Sequence, residues 1–260
     1  MREVLKGAIS TLFLTLVVAV SAYAEPAVVL PNVPWKGERL VFELSWFKLK
    51  GGTATMEVAE EYAQGKKSYH ISAITASNSF VDTFYKVRDR VDSFIYADNL
   101  SSHRYKVHQE EGSFRRDKEI TFDYLKGTAT YIKDQKTSVY SIPSSVQDAF
   151  SALYYLRTKK ITVGKTETLN VFEDKKLWQV EVQVLGKEKI QTPAGVFDTI
   201  MVKPILKFEG IFQRKGDVYI WLTDDERKMP VRMRSKIKIG SISADLIEYK
   251  YSAVNLNIGH

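Results

Sequence analysis

The sequence predicts a mainly β protein: a large antiparallel curved sheet, or an open barrel or sandwich, of about a dozen strands with one amphipathic helix over about 144–157. Three observations lead there. Apolar and polar residues alternate with period two along most of the chain. Short breaks rich in Gly, Asp and Asn separate the alternating runs. A single stretch has the spacing of a helix instead.

The elements follow in order. Arg2 and Lys6 give a net-positive start, and Ile9 to Val20 is a run of apolar and small residues. Ala22-Tyr23-Ala24 then offers the small-x-small pattern of a cleavage site before Glu25-Pro26. Residues 1–24 therefore read as a cleaved export signal. The apolar run is shorter than the about 20 residues that a spanning helix needs, so no transmembrane segment is expected in the mature chain. The chain holds 0 cysteines. That excludes disulfides, thiol nucleophiles and thiolate metal sites, and it removes the lipid attachment point of a bacterial lipoprotein. The expected location is the periplasm or beyond, as a protein that is not a lipoprotein. Residues 25–37, with Pro26, Pro31 and Pro34, form an extended lead. Residues 38–260 form a single β-rich domain, with no linker or repeat to divide it and length enough for a core.

Within that domain Leu40, Phe42, Leu44 and Trp46 alternate with Val41, Glu43 and Ser45. Trp178, Val180, Val182 and Val184 oppose Gln179, Glu181 and Gln183. Val231, Met233, Ile237 and Ile239 oppose Arg232, Arg234, Lys236 and Lys238. A strand places successive side chains on opposite faces of its sheet, so this is the pattern of half-buried strands. Gly51-Gly52, Gly65, Ala97-Asp98-Asn99, Glu111-Gly112, Lys126-Gly127, Asp134-Gln135, Asp174-Lys175, Gly186 and Asp224–Lys228 read as turns. Connections this short imply hairpins. In the helical stretch, Ser144 or Ser145 is the expected cap and Asp148 lies in the first turn. Val146, Phe150, Leu153 and Tyr154 share one face, suited to lie on the sheet or to plug one end of a barrel. A weaker helical turn is expected near Val81–Tyr85.

Four segments resemble a bacterial exported family known as domain of unknown function 3108. They are Gly37-Glu38-Arg39-Leu40, the run Gln147–Tyr154, the turn Thr192-Pro193-Ala194-Gly195-Val196-Phe197, and Trp221–Arg232 with Ser235-Lys236 and Gly240-Ser241. The resemblance implies a β-rich periplasmic or envelope protein and carries no catalytic residues with it. The turn chemistry of Asp224-Asp225 and the strand-starting Pro230 read as architecture.

Chemistry is sparse. His70, His103 and His108 lack metal-ligand spacing, and His103 and His108 face opposite sides of a regular strand. No nucleophile elbow, zinc-protease helix or phosphate loop occurs in the sequence. Asp89, between Arg88 and Arg90, reads as a partner in ion pairs within the sheet. No cofactor is expected. The aromatic residues, 12% of the chain, are the suggestive feature. Trp46, Phe94, Tyr105, Phe122, Trp178 and Trp221 are the expected lining of a cavity, with Tyr96, Tyr124, Phe208 and Tyr219 also in strands. Arg104 and Lys106, followed by Arg115, Arg116 and Lys118, are expected to form a basic patch across a hairpin at Glu110–Ser113. The net charge of +7 suits anionic partners, and export removes nucleic acid from them. The leading expectation is a non-enzymatic envelope protein that binds an apolar or lipid-like ligand, with a lipid, an amphiphile or another envelope protein as partner. The alternatives are an interaction or structural module of the envelope and, behind it, a hydrolase acting on glycan or lipid.

Overall fold

The computed structural model describes residues 31, 33–47, 49–63, 65–206, 217–236 and 240–251. The leader over 1–24, Phe208, Ile237–Ile239 and His260 lie outside these residues. The strands are β1 (Glu38–Trp46), β2 (Leu49–Ala63), β3 (Lys66–Ser77), β4 (Arg88–Tyr96), β5 (Ser102–Glu111), β6 (Phe114–Asp123), β7 (Thr128–Lys133) and β8 (Lys136–Ser141). They continue as β9 (Thr166–Glu173), β10 (Lys176–Thr192), β11 (Gly195–Leu206), β12 (Val218–Thr223), β13 (Pro230–Lys236) and β14 (Ser241–Tyr251). Two short helices interrupt them, α1 (Ser79–Asp82) and α2 (Ser151–Arg157).

All pairing between strands is antiparallel, in one 14-stranded sheet ordered β8-β7-β6-β5-β4-β3-β2-β1-β14-β13-β12-β11-β10-β9. Every neighbouring pair but one is a sequential hairpin; the exception, β1 against β14, joins the two halves. The sheet curves without closing, and β8 and β9 remain its edges.

The turns mostly fall where the sequence places them. Asp134, Gln135, Asp174 and Lys175 adopt left-handed backbone, with φ of 48°, 63°, 45° and 68°, which is the conformation of a tight two-residue hairpin. Gly51-Gly52 departs from expectation. It is not the turn between the first two strands but part of β2, and β1 ends instead at Trp46, before the left-handed Phe47. The pairing steps from Leu44–Gly52 to Ser45–Lys50, so Gly51 is the extra residue of a bulge. A Cβ on Gly52 would sit 2.2 Å from the Ala76 carbonyl oxygen, which explains the second glycine.

The helix also differs. α2 begins at Ser151, not near Ser144, and residues 144–150 form a strap. The strap does not coil into the helix over Val146 and Gln147 because its backbone there is bonded elsewhere. Val146 O accepts from Ser102 N at 3.1 Å, Gln147 N donates to Asn170 O at 2.9 Å, and Phe172 N donates to Gln147 O at 2.8 Å. Ser144 and Ser145 do not cap the helix; Ser145 Oγ instead bonds Ser101 Oγ at 2.7 Å. Asp148 takes the capping role, accepting from Phe150 N and Ser151 N at 2.8 Å each. The helical turn expected near Val81 forms as α1, capped by Asn78.

α2 closes one end of the curved sheet. Arg157, fully buried, makes a bidentate bond to the fully buried Glu38 at 2.8 and 2.5 Å. Its Nε reaches Arg227 O at 3.2 Å, and Tyr251 donates to Glu38 Oε2 at 3.1 Å. Trp35 packs edge-on against Tyr69 and Tyr154 and donates from Nε1 to Tyr154 O at 3.0 Å. The lead segment thus contributes a core residue. The turn Thr192–Gly195 reaches the same region, with Ala194 N donating to Leu246 O at 3.2 Å. No described helix is long and apolar enough to cross a membrane.

Candidate functional site

The site that stands out is the seam where the two edges of the sheet approach each other. Along β6, Ile120 and Phe122 are buried while Glu119, Thr121 and Asp123 are not, so even-numbered positions point inward. Arg116 and Lys118 share that parity. Lys118 is only 4% exposed. It pairs with Glu173 at the end of β9, and Arg116 Nη2 bonds Asp174 Oδ1 at 2.7 Å. Asp174 Oδ1 also lies 3.7 Å from Lys118 Nζ. Around these charges lies an apolar cluster of Tyr105, Val107, Ile120, Phe122, Ala129, Tyr131, Val146 and Phe172. Phe172 meets the Phe122 ring edge-on at 6.0 Å and the Tyr140 ring at 5.8 Å. Lys118 Nζ sits 5.1 Å from the Tyr105 ring centre and Lys175 Nζ 5.4 Å from that of Tyr131.

Two buried polar atoms in this island have no partner among the described residues: Arg116 Nε, a donor, and Glu173 Oε2, an acceptor. Unpartnered buried polar atoms are rare in folded proteins because each loses its bonds to water. Burial raises the Glu173 carboxyl above the usual range, against the opposing pull of Lys118. Burial likewise raises the Tyr105 hydroxyl. The arrangement is an apolar bed with a group of charges at its edge that runs from buried Lys118 to exposed Asp174, able both to donate and to accept.

The sequence-derived residues sort by face. Tyr105 and Phe122 line the seam. Trp178 lies beside it in a neighbouring cluster and fixes the β9–β10 turn by donating to Glu173 O at 2.9 Å. Trp221 is buried further off and donates to Glu188 at 2.6 Å. Phe94 occupies the opposite face from Ser93 and Ile95, stacked on His70 at 4.4 Å. Trp46 stands at the open end of β1, 44% exposed. The six aromatics therefore do not line one cavity.

The basic patch does not gather on one surface either. The hairpin forms as expected, but alternation sends Arg116 and Lys118 inward and leaves Arg104, Lys106 and Arg115 on the other face. Carboxylates meet all three there: Glu119 lies 2.7 Å from Arg104 and 3.9 Å from Lys106, and Glu110 lies 3.6 Å from Arg115. Tyr131, Tyr140, Phe172, Glu173 and Asp174 escaped the sequence reading. The available signal was Asp174, which in the sequence reads only as half of the Asp174-Lys175 turn.

Other titratable groups serve the framework. Asp148 is fully buried and accepts four bonds, from Ser93 and Ser102 hydroxyls at 2.6 and 2.8 Å and from two backbone amides. Asp89 forms no ion pair with its neighbours: Arg88 goes to Asp82 and Arg90 to Asp92, and Asp89 accepts from Glu110 N at 3.0 Å. His70 and His108 bond Asp92 and Asp117, each at 2.7 Å. Among the described residues no group of three or more His, Asp or Glu is placed to hold a metal.

Comparison with known proteins gives fold and family. No curated protein matches the chain. A solved β-barrel-like protein of domain of unknown function DUF1849 from Brucella abortus is 11% identical, with a TM-score of 0.57 over 83% of this chain and 97% of that one. At that identity the likeness is one of fold. A candidate lipoprotein from Parabacteroides distasonis is 12% identical, with a TM-score of 0.37 over 85% and 98% of the two chains. A candidate exported protein with a YmcC-like fold from Bacteroides fragilis is 15% identical, with a TM-score of 0.36 over 85% and 98%. The model of one family spans residues 41–247, and this chain belongs to it: the protein family of unknown function DUF3108.

Proposed function

We propose that this protein is an exported, non-enzymatic component of the cell envelope that binds an amphiphilic, lipid-like ligand at the seam. The observation that carries the reading is the charged group of buried Lys118, half-buried Arg116 and Glu173 and exposed Asp174, set against the apolar bed of Tyr105, Phe122, Tyr131 and Phe172, with the buried atoms Arg116 Nε and Glu173 Oε2 unpartnered among the described residues. Ligand sites combine mainly apolar walls with a few convergent polar groups, and this is that composition. The ligand's apolar body lies on the aromatic bed, and its polar head accepts from Arg116 and donates to Glu173. No backbone ladder joins β8 to β9, so only side chains and the strap need part. Export rests on the leader pattern of residues 1–24.

Native mass spectrometry of protein isolated from the envelope, with solvent extraction of whatever is bound, tests this. The expected result is an amphiphile adduct that the double variant Lys118→Met/Glu173→Leu loses. Replacing both partners with apolar residues of similar size keeps the fold, because no buried charge is left alone. Protein that carries no adduct, and whose melting temperature does not rise with added amphiphile, would overturn the reading.

A further inference from the structure

The end of the sheet opposite α2 gathers large apolar side chains that face solvent. Strand pairing places three connections together there. The β1–β2 turn carries Trp46, Phe47 and Leu49, exposed by 44%, 58% and 64%. Asn78, which caps α1, donates from its backbone to Gly51 O at 2.9 Å and from its side chain to Lys50 O at 2.7 Å. That sets α1 beside the first turn, with Phe80 and Phe84 each 68% exposed. Gly112 N donates to Lys86 O at 2.8 Å, which brings the β5–β6 turn and Phe114, 49% exposed, to the same end. Phe80 and Phe84 meet edge-on at 5.7 Å, so their direction is set by mutual packing. Single exposed apolar residues are ordinary, but six on adjoining turns form a patch that water does not favour.

Charge narrows what covers it. Three carboxylates of this end are matched within the chain: Glu43 with Lys50 at 2.7 Å, Asp82 with Arg88 at 2.6 Å, and Asp117 with His108 at 2.7 Å. Glu111 and Asp89 are not paired with a cation, Glu111 bonding Tyr85 and Gln109 and Asp89 accepting from Glu110 N. Lys86, after α1, and Lys136, at the β7–β8 turn, are exposed and make no close ion pair among the described residues, though Arg88 and, more weakly, Lys86 hold the Asp82 carboxyl low. Aromatic rings and exposed cations on the turns of one end suit the two layers that a bilayer offers, apolar chains and anionic headgroups.

We propose that this end docks on the surface of a membrane containing anionic phospholipid, with Trp46, Phe47, Leu49, Phe80, Phe84 and Phe114 entering the headgroup region and Lys86 and Lys136 meeting lipid phosphate. The patch is built from different residues than the seam, so the inference stands whether or not the seam holds a ligand.

Co-sedimentation of the exported chain with vesicles tests it, using phosphatidylglycerol mixed with phosphatidylethanolamine, or phosphatidylcholine alone. The native chain partitions onto the anionic vesicles at least fivefold better than onto phosphatidylcholine. Phe80→Ser/Phe84→Ser lowers that partition at least fivefold. Lys86→Glu/Lys136→Glu abolishes the preference for anionic lipid. Leu125→Ser, at a fully exposed position of the β6–β7 turn at the other end, leaves binding unchanged. Circular dichroism spectra identical to the native chain show that the variants are folded. Vesicle binding that is absent, or that survives the phenylalanine changes, overturns the proposal. So does a dimer in light scattering that Phe80→Ser/Phe84→Ser converts to monomer, since a second copy would then be what covers the patch.

Discussion

His103 shows how a single residue can carry a pH response in this protein. It is the extra residue where the β4–β5 pairing steps from Phe94–Arg104 to Ile95–Ser102. Its ring stacks on Tyr96 at 4.7 Å, and its Nε2 is buried without a partner. Burial, with a smaller contribution from the adjacent Arg104 charge, lowers its pKa from 6.5 to about 4. A base whose pKa falls on folding takes up its proton in the unfolded chain first. Stability is therefore lost as pH drops through the window from 6.5 to about 4. His103→Phe keeps a ring on Tyr96 and removes the titration. Its melting temperature should fall less than that of the native chain between pH 7 and pH 4.5, in thermal unfolding followed by circular dichroism. Parallel curves for the two proteins would count against this account. Arg157 and Glu38 illustrate the opposite case, charges buried together. Their fork geometry and the Tyr251 hydroxyl satisfy most of what burial removes, and either partner alone would be a costly buried ion.

Among elements, the strap over residues 144–150 does what an edge ladder would otherwise do. It borrows the backbone of β9 on one side and the start of β5 on the other, through Asn170, Phe172 and Ser102. Asp148 holds the strap's shape by accepting from two hydroxyls and two amides with no exposure to water. Burial raises its carboxyl, and the hydrogen bonds that it accepts oppose that shift. Asp148→Ala leaves those donors buried and unmet, at a cost of about 3 kcal/mol. Urea unfolding measures that loss, and hydrogen exchange locates it. The Gln147 and Phe172 amides should lose protection before those of β1. Unchanged stability would show that the strap holds through its backbone alone.

At the scale of the molecule, stability should fall from the centre of the sheet to its seam. β1 is laddered on both sides, to β2 and to β14, and its Leu40 and Phe42 are fully buried. β8 and β9 are each laddered on one side and meet across the seam through side chains. Native-state hydrogen exchange should therefore find β1 and β14 protected to the global limit, and β9 open at lower cost. Phe172→Ala removes the ring packed between Phe122 and Tyr140. It should speed exchange in β9 and raise binding of a hydrophobic dye, while β1 and β14 exchange as before after correction for global stability. Loss of protection in β9 and β1 together would mean that the seam does not open by itself.

Period-two alternation and turn chemistry were enough to make the strands legible, and with them the β5–β6 hairpin, the strand start at Pro230 and the two-residue turns at Asp134 and Asp174. These are local matters, settled by residues within a few positions of each other. The same alternation assigns Lys118 and Arg104 to opposite faces once a register is known, yet it does not say which face is concave, and so a patch was expected where an interior island exists. Helical spacing from Val146 to Tyr154 satisfied a helix, but burial of Val146 and Phe150 is met as well by a strap, and only the bonds to Asn170 and Ser102 decide between them. Trp35 reads as part of a lead until α2 is seen to cover it. The seam depends on contacts between β6 and β9, whose residues lie about fifty positions apart, such as Lys118 with Glu173. No local pattern records that pairing, because it arises from the curvature accumulated across the whole sheet.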